Sequence, residues 1–338
     1  MPSEPVPRST YRLQLGPQLK FADAASLADY LADLGVTHAY LSPVLSAAPG
    51  STHGYDVVDP TTINPELGGP RGFATLVKAL HAHGIGIVLD IVPNHLALAV
   101  PESLNHALWN MLRDGRESEY ARWFDIDWDA GDGRVVLPVL DGSVADNLAK
   151  LSISRHRGAQ PALCYYDHRF PLARGTDRLP LEEALDRQHY RLVDWRAASN
   201  DLNYRRFMDI TTLIGVRVED PEVFDATHAT ILDLMRQGSV DGLRIDHPDG
   251  LADPGGYLRR LAEATGSAWT VVEKILSVDE PLPPDWPTAG TTGYESLAML
   301  NSLLVDPAAE QVMSEIYVES TGADADFDAV ALQSKRVV

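Results

Sequence analysis

Short apolar runs alternate along this chain with amphipathic stretches of helical period, and this alternation limits the possible folds more than any other feature. Six runs have the character of strands: Ser9–Leu15, Thr37–Leu45, Ile85–Pro93, Val240–Asp246, Ala268–Leu276 and Ala289–Glu295. The third run is almost wholly apolar, as expected of a strand covered on both faces. Strands that alternate with helices predict a parallel sheet whose crossovers are right-handed and helical.

The amphipathic stretches predict which helical residues face the sheet. In the first helix the apolar residues at helical spacing are Leu27, Tyr30, Leu31 and Leu34. In the second they are Phe73, Leu76, Val77 and Leu80. Each stretch ends at a glycine, which is typical of a helix C-terminus.

The alternation stops between residues 95 and 220, a segment rich in Trp, Tyr, Arg and Asp that is too long for a loop. We therefore expect an α/β fold of the (β/α)8 TIM-barrel type, incomplete at about six strands, with a subdomain inserted after the third strand. A doubly wound sheet is the alternative, but no glycine-rich phosphate fingerprint follows the first strand. The expected divisions are 1–94 and 221–300 for the barrel, 95–220 for the inserted subdomain, and 301–338 for the start of a helical insertion.

Charge and cysteine content exclude several classes of function. The 28 basic and 48 acidic side chains give a formal charge of −20, which repels nucleic-acid phosphates and anionic membranes. Cys164 is the only cysteine, so no internal disulfide is expected. The first residues lack the features of a secretory signal, and we expect a cytoplasmic protein without nucleic-acid or membrane partners.

Polar and ionisable side chains follow four of the predicted strands. They occur in the stretches His53–Asp56, Asp90–His95, Leu243–His247 and Glu273–Lys274. Each stretch alone is consistent with a helix cap, a turn or a surface ion pair. In a barrel, however, the carboxyl ends of the strands surround one cavity, so Tyr55, His95, Arg244, Asp246, His247 and Glu273 are expected to share it.

Asp246 and Glu273 follow neighbouring predicted strands, and two facing carboxyls suit glycosidic chemistry. Arg244, two residues before Asp246, should point to the same side, keep that carboxyl ionised and lower its pKa, which favours Asp246 as nucleophile. Glu273 follows an apolar run and is expected to be partly desolvated, which suits a general acid and base, unless Lys274 points inward. His95 and His247 are candidate donors to sugar hydroxyls, and Tyr55 is a candidate platform for a ring; packing roles are the alternative for these three.

The stretches DIVPNH and GLRIDH, together with Glu273 at a strand end, resemble motifs of the α-amylase family of glycoside hydrolases, family 13. The resemblance implies a barrel with a domain inserted after the third strand. It implies Asp246 as nucleophile and Glu273 as acid and base. It also implies substrate contacts that comprise His53, Tyr55, Asp56, Asn94, His95, Arg244 and His247. No metal or cofactor is predicted.

Longer stretches, among them SPVLSAAPGSTHGYDVVDPTTINPELGG and WPTAGTTGYE, resemble the trehalose-forming isomerases of this family. That resemblance implies a maltooligosaccharide substrate, whose reducing-end α-1,4 linkage becomes an α,α-1,1 linkage by intramolecular glycosyl transfer. An α-1,4-glucan hydrolase and a non-catalytic glucan-binding fragment are the alternatives.

The sequence departs from the family pattern at one point. A third acidic residue, expected in an HD pair near the seventh strand, is absent from these 338 residues. We therefore expect the sequence to be part of a longer chain that supplies the rest of the barrel, and we expect little or no synthase activity from this span alone.

Overall fold

A computed structural model describes residues 6–155, 160–277, 279–323 and 326–337. Two compact units are present. The larger comprises Met1–Lys274 and Leu282–Thr292, and the smaller comprises Ile275–Pro281 and Gly293–Val338. Each unit is described separately below.

The larger unit is built on a six-stranded sheet in which every neighbouring pair is parallel and the strands follow chain order. The strands are β1 (Thr10–Leu13), β2 (His38–Leu41), β3 (Gly86–Ile91), β4 (Gly242–Ile245), β5 (Trp269–Val272) and β6 (Gly290–Thr291). This is the arrangement of successive strands in a (β/α)8 barrel. The prediction of an incomplete barrel with about six strands is confirmed.

Helices connect these strands: α1 (Phe21–Ala25) and α2 (Ala28–Asp33) before β2, α3 (Gly69–Ala82) before β3, α4 (Pro221–Arg236) before β4, and α5 (Pro254–Thr265) before β5. Local chemistry sets their ends. Asp220 and Asp253 cap α4 and α5 by accepting backbone N–H groups of the first turn, and a proline follows each cap. Beyond α3 the chain turns at Gly84, whose φ of 68° favours glycine.

The predicted inward face of the first helical stretch is partly wrong. The stretch is two short helices, because the chain breaks at Ser26, whose hydroxyl donates to the carbonyl of Asp23. The buried residues are Phe21, Ala24, Ala28 and Leu31, whereas Tyr30 and Leu34 are exposed. In α3 the prediction holds, since Phe73, Leu76 and Leu80 are buried and Val77 packs partly against the core.

Between β3 and α4 the chain forms several small sheets, and its apolar residues join the main core. The strands are His95–Ala97, Val135–Leu140, Leu151–Ser154, Ala162–Tyr165, His168–Pro171, Tyr190–Asp194, Arg206–Phe207 and Ile210–Gly215, with helices His106–Asp114, Val144–Asn147 and Leu181–Asp186. The strand Ile210–Gly215 pairs with His95–Ala97, next to β3. The division at 95–220 as a subdomain stays a prediction.

The described part of the chain also contains a hairpin and three further helices. A hairpin of Leu45–Ala47 and Val57–Ile63 follows β2. The smaller unit contains the helices Tyr294–Ser302, Glu310–Thr321 and Phe327–Val337, and the prediction that residues 301–338 begin a helical insertion remains a prediction. None of the described helices is both long and apolar enough to cross a membrane.

Leu31 and Leu34 provide a matched test of the corrected helix face. Leu31→Ala removes a side chain that is 0% exposed, so we expect the free energy of unfolding to fall by about 2–5 kcal/mol. Leu34→Ala changes a side chain that is 53% exposed, and we expect a change within about 0.5 kcal/mol. Urea unfolding monitored by circular dichroism measures both; equal losses would contradict the assignment.

Candidate active site

The carboxyl ends of β3, β4 and β5 bring acidic side chains to the same edge of the sheet. Ile245 at the end of β4 lies in register with Ile91 of β3 and Val272 of β5. Asp246 and Glu273 directly follow β4 and β5, so their side chains start from adjacent positions. The backbone N–H of each continues the ladder, with Asp246 donating to Ile91 at 3.0 Å and Glu273 to Ile245 at 2.8 Å.

One buried guanidinium holds the two predicted catalytic carboxyls together. Arg244 Nη1 donates to Asp246 Oδ1 at 2.7 Å and to Asp90 Oδ1 at 2.8 Å. Its Nη2 lies 2.9 Å from Glu273 Oε1. The predicted contact between Arg244 and Asp246 is present, and the rigid fork of the guanidinium fixes the three acids relative to one another.

Asp90 is the centre of a second set of contacts that the sequence analysis missed. Its Oδ2 accepts hydrogen bonds from Tyr55 at 2.5 Å, Tyr40 at 3.0 Å and Arg12 at 3.2 Å. Arg12 also donates to the Tyr55 hydroxyl at 2.8 Å. The available signal was a charged side chain inside an apolar run, since Asp90 is the only charged residue of the third predicted strand and Arg12 lies within the first.

The two tyrosines around Asp90 act as hydrogen-bond donors. Burial raises the pKa of Tyr55 and of Tyr40, and the neighbouring charge of Asp90 raises both further. Their hydroxyls therefore stay protonated and direct their hydrogens towards Asp90. Tyr55 belongs to the site as predicted, but its hydroxyl is already engaged with Asp90 and Arg12.

Burial outweighs the lowering effect that was predicted, and is found, for Arg244 on the pKa of Asp246, so the net shift is upward. Burial raises the pKa of Asp246 to about 7; Arg244 opposes the rise, while Asp90 and Glu273 add to it. Burial is the largest cause, because a buried carboxylate loses its hydration, and Asp90 and Glu273 contact the same guanidinium as Asp246.

Glu273 is less buried than the sequence suggested. Its side chain is 24% exposed, against 10% for Asp246, so Asp246 is the more desolvated of the pair. Glu273 Oε2 accepts the backbone N–H of His247 at 3.2 Å. Lys274 lies 3.2 Å from Asp249. Burial therefore does not separate acid from nucleophile here, and the assignment of their roles rests on the family resemblance.

The two candidate histidines both contact an aromatic ring from the inserted segment. The Phe207 ring is 4.6 Å from that of His95 and 4.9 Å from that of His247, centre to centre. His247 is half-buried and has a left-handed backbone, with φ of 44°. His95 is 1% exposed and its Nε2 lies 3.2 Å from the carbonyl oxygen of Tyr55, so this structure offers no open face for the sugar contact predicted for it.

Three further predicted residues lie away from the carboxyls. Asn94 is 1% exposed and contacts His95 and Arg205, so it supports the site from behind. Asp56 accepts a hydrogen bond from Ser51, and His53, half exposed, stacks on Tyr55. Their predicted contacts with substrate stay predictions. In the described part of the chain, no group of three or more His, Cys, Asp or Glu side chains is arranged to hold a metal ion.

Comparison with known proteins identifies the family. The model of the alpha-amylase catalytic domain matches residues 25–256, which includes β2 to β4 and Asp246. The chain belongs to the alpha-amylase family. It is also similar to the maltooligosyltrehalose synthase of Arthrobacter ramosus, with 50% identity and a TM-score of 0.89 over 95% of this chain and 42% of that one.

Two more relatives show the extent of the similarity. A curated relative from Mycobacterium tuberculosis, named for the same synthase, is 49% identical over 322 residues, which are 94% of this chain and 41% of that protein. The intracellular maltogenic amylase of Bacillus subtilis is 43% identical over 99 residues, 29% of this chain and 16% of its own length. This member of the alpha-amylase family therefore spans about two fifths of the synthases that it matches.

The raised pKa of Asp246 predicts a pH-dependent loss of stability. Between about pH 4 and 7 the folded state binds more protons than the unfolded state, so the free energy of unfolding falls as the pH rises through this window. Asp246→Asn removes this dependence. As the pH rises from about 5 to 8, we expect the free energy of unfolding of the variant to increase by on the order of a few kcal/mol relative to that of the unmodified protein.

Thermal unfolding midpoints across this pH range measure the effect. Asp233→Asn is the matched control, because Asp233 is 58% exposed and pairs only with Arg236 among the described contacts. The difference in unfolding midpoint between Asp233→Asn and the unmodified protein should not vary with pH. A pH-independent difference for Asp246→Asn as well would show that this carboxyl has an ordinary pKa.

Proposed function

We propose that this chain carries the catalytic carboxyls of an intramolecular transglycosylase, an isomerase that acts on maltooligosaccharides. The reducing-end α-1,4 linkage would become an α,α-1,1 linkage. The observation that carries the chemistry is the placement of Asp246 and Glu273 on the two terminal nitrogens of Arg244. The choice of reaction within the family is supported by the similarity to maltooligosyltrehalose synthases over most of this chain.

Two displacements at one anomeric carbon account for the reaction. Asp246 attacks this carbon while Glu273 protonates the oxygen of the departing reducing-end glucose, which gives a glycosyl ester of Asp246. Glu273 then removes the proton from the anomeric hydroxyl of the retained glucose, whose oxygen displaces Asp246. Atoms balance without water, and two inversions give net retention.

The charge of the site favours the first step. The transition state resembles an oxocarbenium ion and carries positive charge on the sugar. The carboxyls of Asp90, Asp246 and Glu273 all contact Arg244, so negative charge lies close to the developing cation. Attack requires ionised Asp246, and we expect the rate to fall as the pH drops below about 7.

Retention of the released glucose requires that water be kept from the intermediate. Phe207 supports such an enclosure, because it brings an apolar ring from the inserted segment to the two histidines of the strand ends. Met208 and Ile210, next to it in the same hairpin, are largely exposed. These three residues form an apolar edge that would cover a bound sugar.

The overall charge and cysteine content are consistent with this proposal. A neutral glucan is not repelled by a protein of charge −20. Cys164 is buried and unpaired, which suits a reducing compartment, and we place the reaction in the cytoplasm. An α-1,4-glucan hydrolase is the second candidate, because shorter stretches of this chain match a maltogenic amylase.

Incubation with maltopentaose distinguishes these functions. Isomerisation lowers the number of reducing ends without shortening the sugar, whereas hydrolysis raises that number. We expect the first result, at a low rate that requires high protein concentration, and we expect Asp246→Asn to abolish it. Binding measured by calorimetry without any turnover would instead support a glucan-binding fragment.

Trapping of the glycosyl ester tests the two roles separately. A fluorinated glucosyl fluoride reacts slowly and has a leaving group that needs no protonation. We expect mass spectrometry to find the label on Asp246, to lose it in Asp246→Asn, and to retain it in Glu273→Gln. A label on Glu273 in the unmodified protein would reverse the assignment.

A further inference from the structure

Arg205, in the inserted segment, is surrounded by oxygen acceptors next to the candidate site. We call these acceptors the cradle. The Arg205 guanidinium donates to Asn94 Oδ1 at 2.6 Å, Gly250 O at 3.0 Å, Val216 O at 2.9 Å and Asp125 Oδ2 at 3.0 Å. These acceptors come from the segment after β3, the inserted segment and the turn after β4. The cradle is closely fitted to the side chain.

Gly215 shows how closely the cradle fits. A Cβ atom at this position would lie 2.6 Å from Arg205 Cζ and 2.8 Å from its Nη2. Gly215 has no positive φ, so the close approach of the guanidinium, and not the backbone conformation, requires glycine here. A side chain at position 215 would therefore displace the Arg205 guanidinium from its hydrogen bonds.

Arg205 determines the orientation of the Asn94 amide. A guanidinium only donates hydrogen bonds, so Asn94 must present its oxygen to Arg205 and its NH2 group to His95. Asn94 Nδ2 lies 3.3 Å from His95 Nδ1. This ring nitrogen must then be an acceptor without a proton.

The other ring nitrogen of His95 is fixed from the opposite side. Nε2 lies 3.2 Å from the carbonyl oxygen of Tyr55, which can only accept, so Nε2 carries the hydrogen. A second proton, on Nδ1, would point at the NH2 group of Asn94 and add a positive charge near Arg205. In the series Arg205, Asn94, His95 and Tyr55, each residue thus donates a hydrogen bond to the next.

We propose that Arg205 is a positioning residue that acts through Asn94 to keep His95 neutral and protonated on Nε2. Loss of the guanidinium would let the Asn94 amide rotate, so that its oxygen could accept from a protonated Nδ1. The groups that face His95 or its partners are His247, Phe207, Arg205 and Asp125. Of these, Arg205 and His247 disfavour a charged ring, and burial lowers the pKa of His95 to about 4.

The consequence for catalysis rests on the proposed function: a neutral His95 would add no positive charge near the cationic transition state. The protonation state itself is measured without any glucan, so the two proposals fail separately.

Titration of the His95 ring by 15N and 1H NMR tests the proposal. The signal is assigned by its loss in His95→Gln, and the remaining histidines report whether each variant is folded. Between about pH 5 and 8 we expect no titration of His95 in the unmodified protein, with hydrogen on Nε2. Titration of His95 within this range, or hydrogen on Nδ1, would overturn the proposal.

Two substitutions change the contacts in defined ways. Asn94→Asp still accepts from Arg205 but presents a carboxylate oxygen to Nδ1, and we expect the pKa of His95 to rise by at least about one unit, a tenfold change in proton affinity. Arg205→Met should raise it as well, whereas Arg205→Lys, which still donates to Asn94, should keep the ring neutral. Unchanged titration in folded Asn94→Asp or Arg205→Met would overturn the proposal.

Arg217→Met is the matched control. Arg217 is near in sequence, pairs with Glu219 and is 43% exposed. We expect His95 in this variant to behave as in the unmodified protein. A shift as large as that of Arg205→Met would show that general loss of positive charge, and not the Asn94 contact, controls His95.

Discussion

The candidate site depends on the burial of one guanidinium, that of Arg244. A buried charge is costly unless it is paired and hydrogen-bonded. Arg244 is paired with three acids from three parallel strands or their ends, and is itself only 9% exposed on its side chain. Removal of Arg244 would leave Asp90 and Asp246 buried without this partner, so the geometry of the candidate catalytic pair and the stability of this edge of the sheet are linked.

Arg12 makes this arrangement possible from the opposite side of Asp90. Asp90 uses one oxygen for Arg244 and the other for Arg12, Tyr40 and Tyr55. The contacts run across β1, β2, β3 and β4, so adjacent strands are cross-linked by side chains as well as by the backbone ladder. Asp90 thereby orients the guanidinium that orients the carboxyls of Asp246 and Glu273.

The strand order and the proximity of Asp246 and Glu273 could be predicted from sequence, because both follow from periodicity and from the position of acids at strand ends. The ionisation of Asp246 could not. Its pKa depends on Asp90 and on the depth of burial, which result from contacts between strands distant in sequence. The face of α1 and α2 was also misjudged, because half of it consists of Ala24 and Ala28, whose small side chains give a weaker apolar signal than the exposed Tyr30 and Leu34. The contacts of Arg205 could not be predicted either, because its partners lie on segments that sequence spacing does not connect.

The pairing of Gly215 with His95 has a consequence for how the segment between them can vary. The inserted segment leaves the barrel at His95 and returns to it at Gly215. Because these two residues are paired, the two ends of the segment are fixed to each other. Loop closure costs little more as a loop lengthens. Insertions or deletions in the middle of this segment can therefore alter the surface near the site, while the strand ends that carry the site keep their spacing.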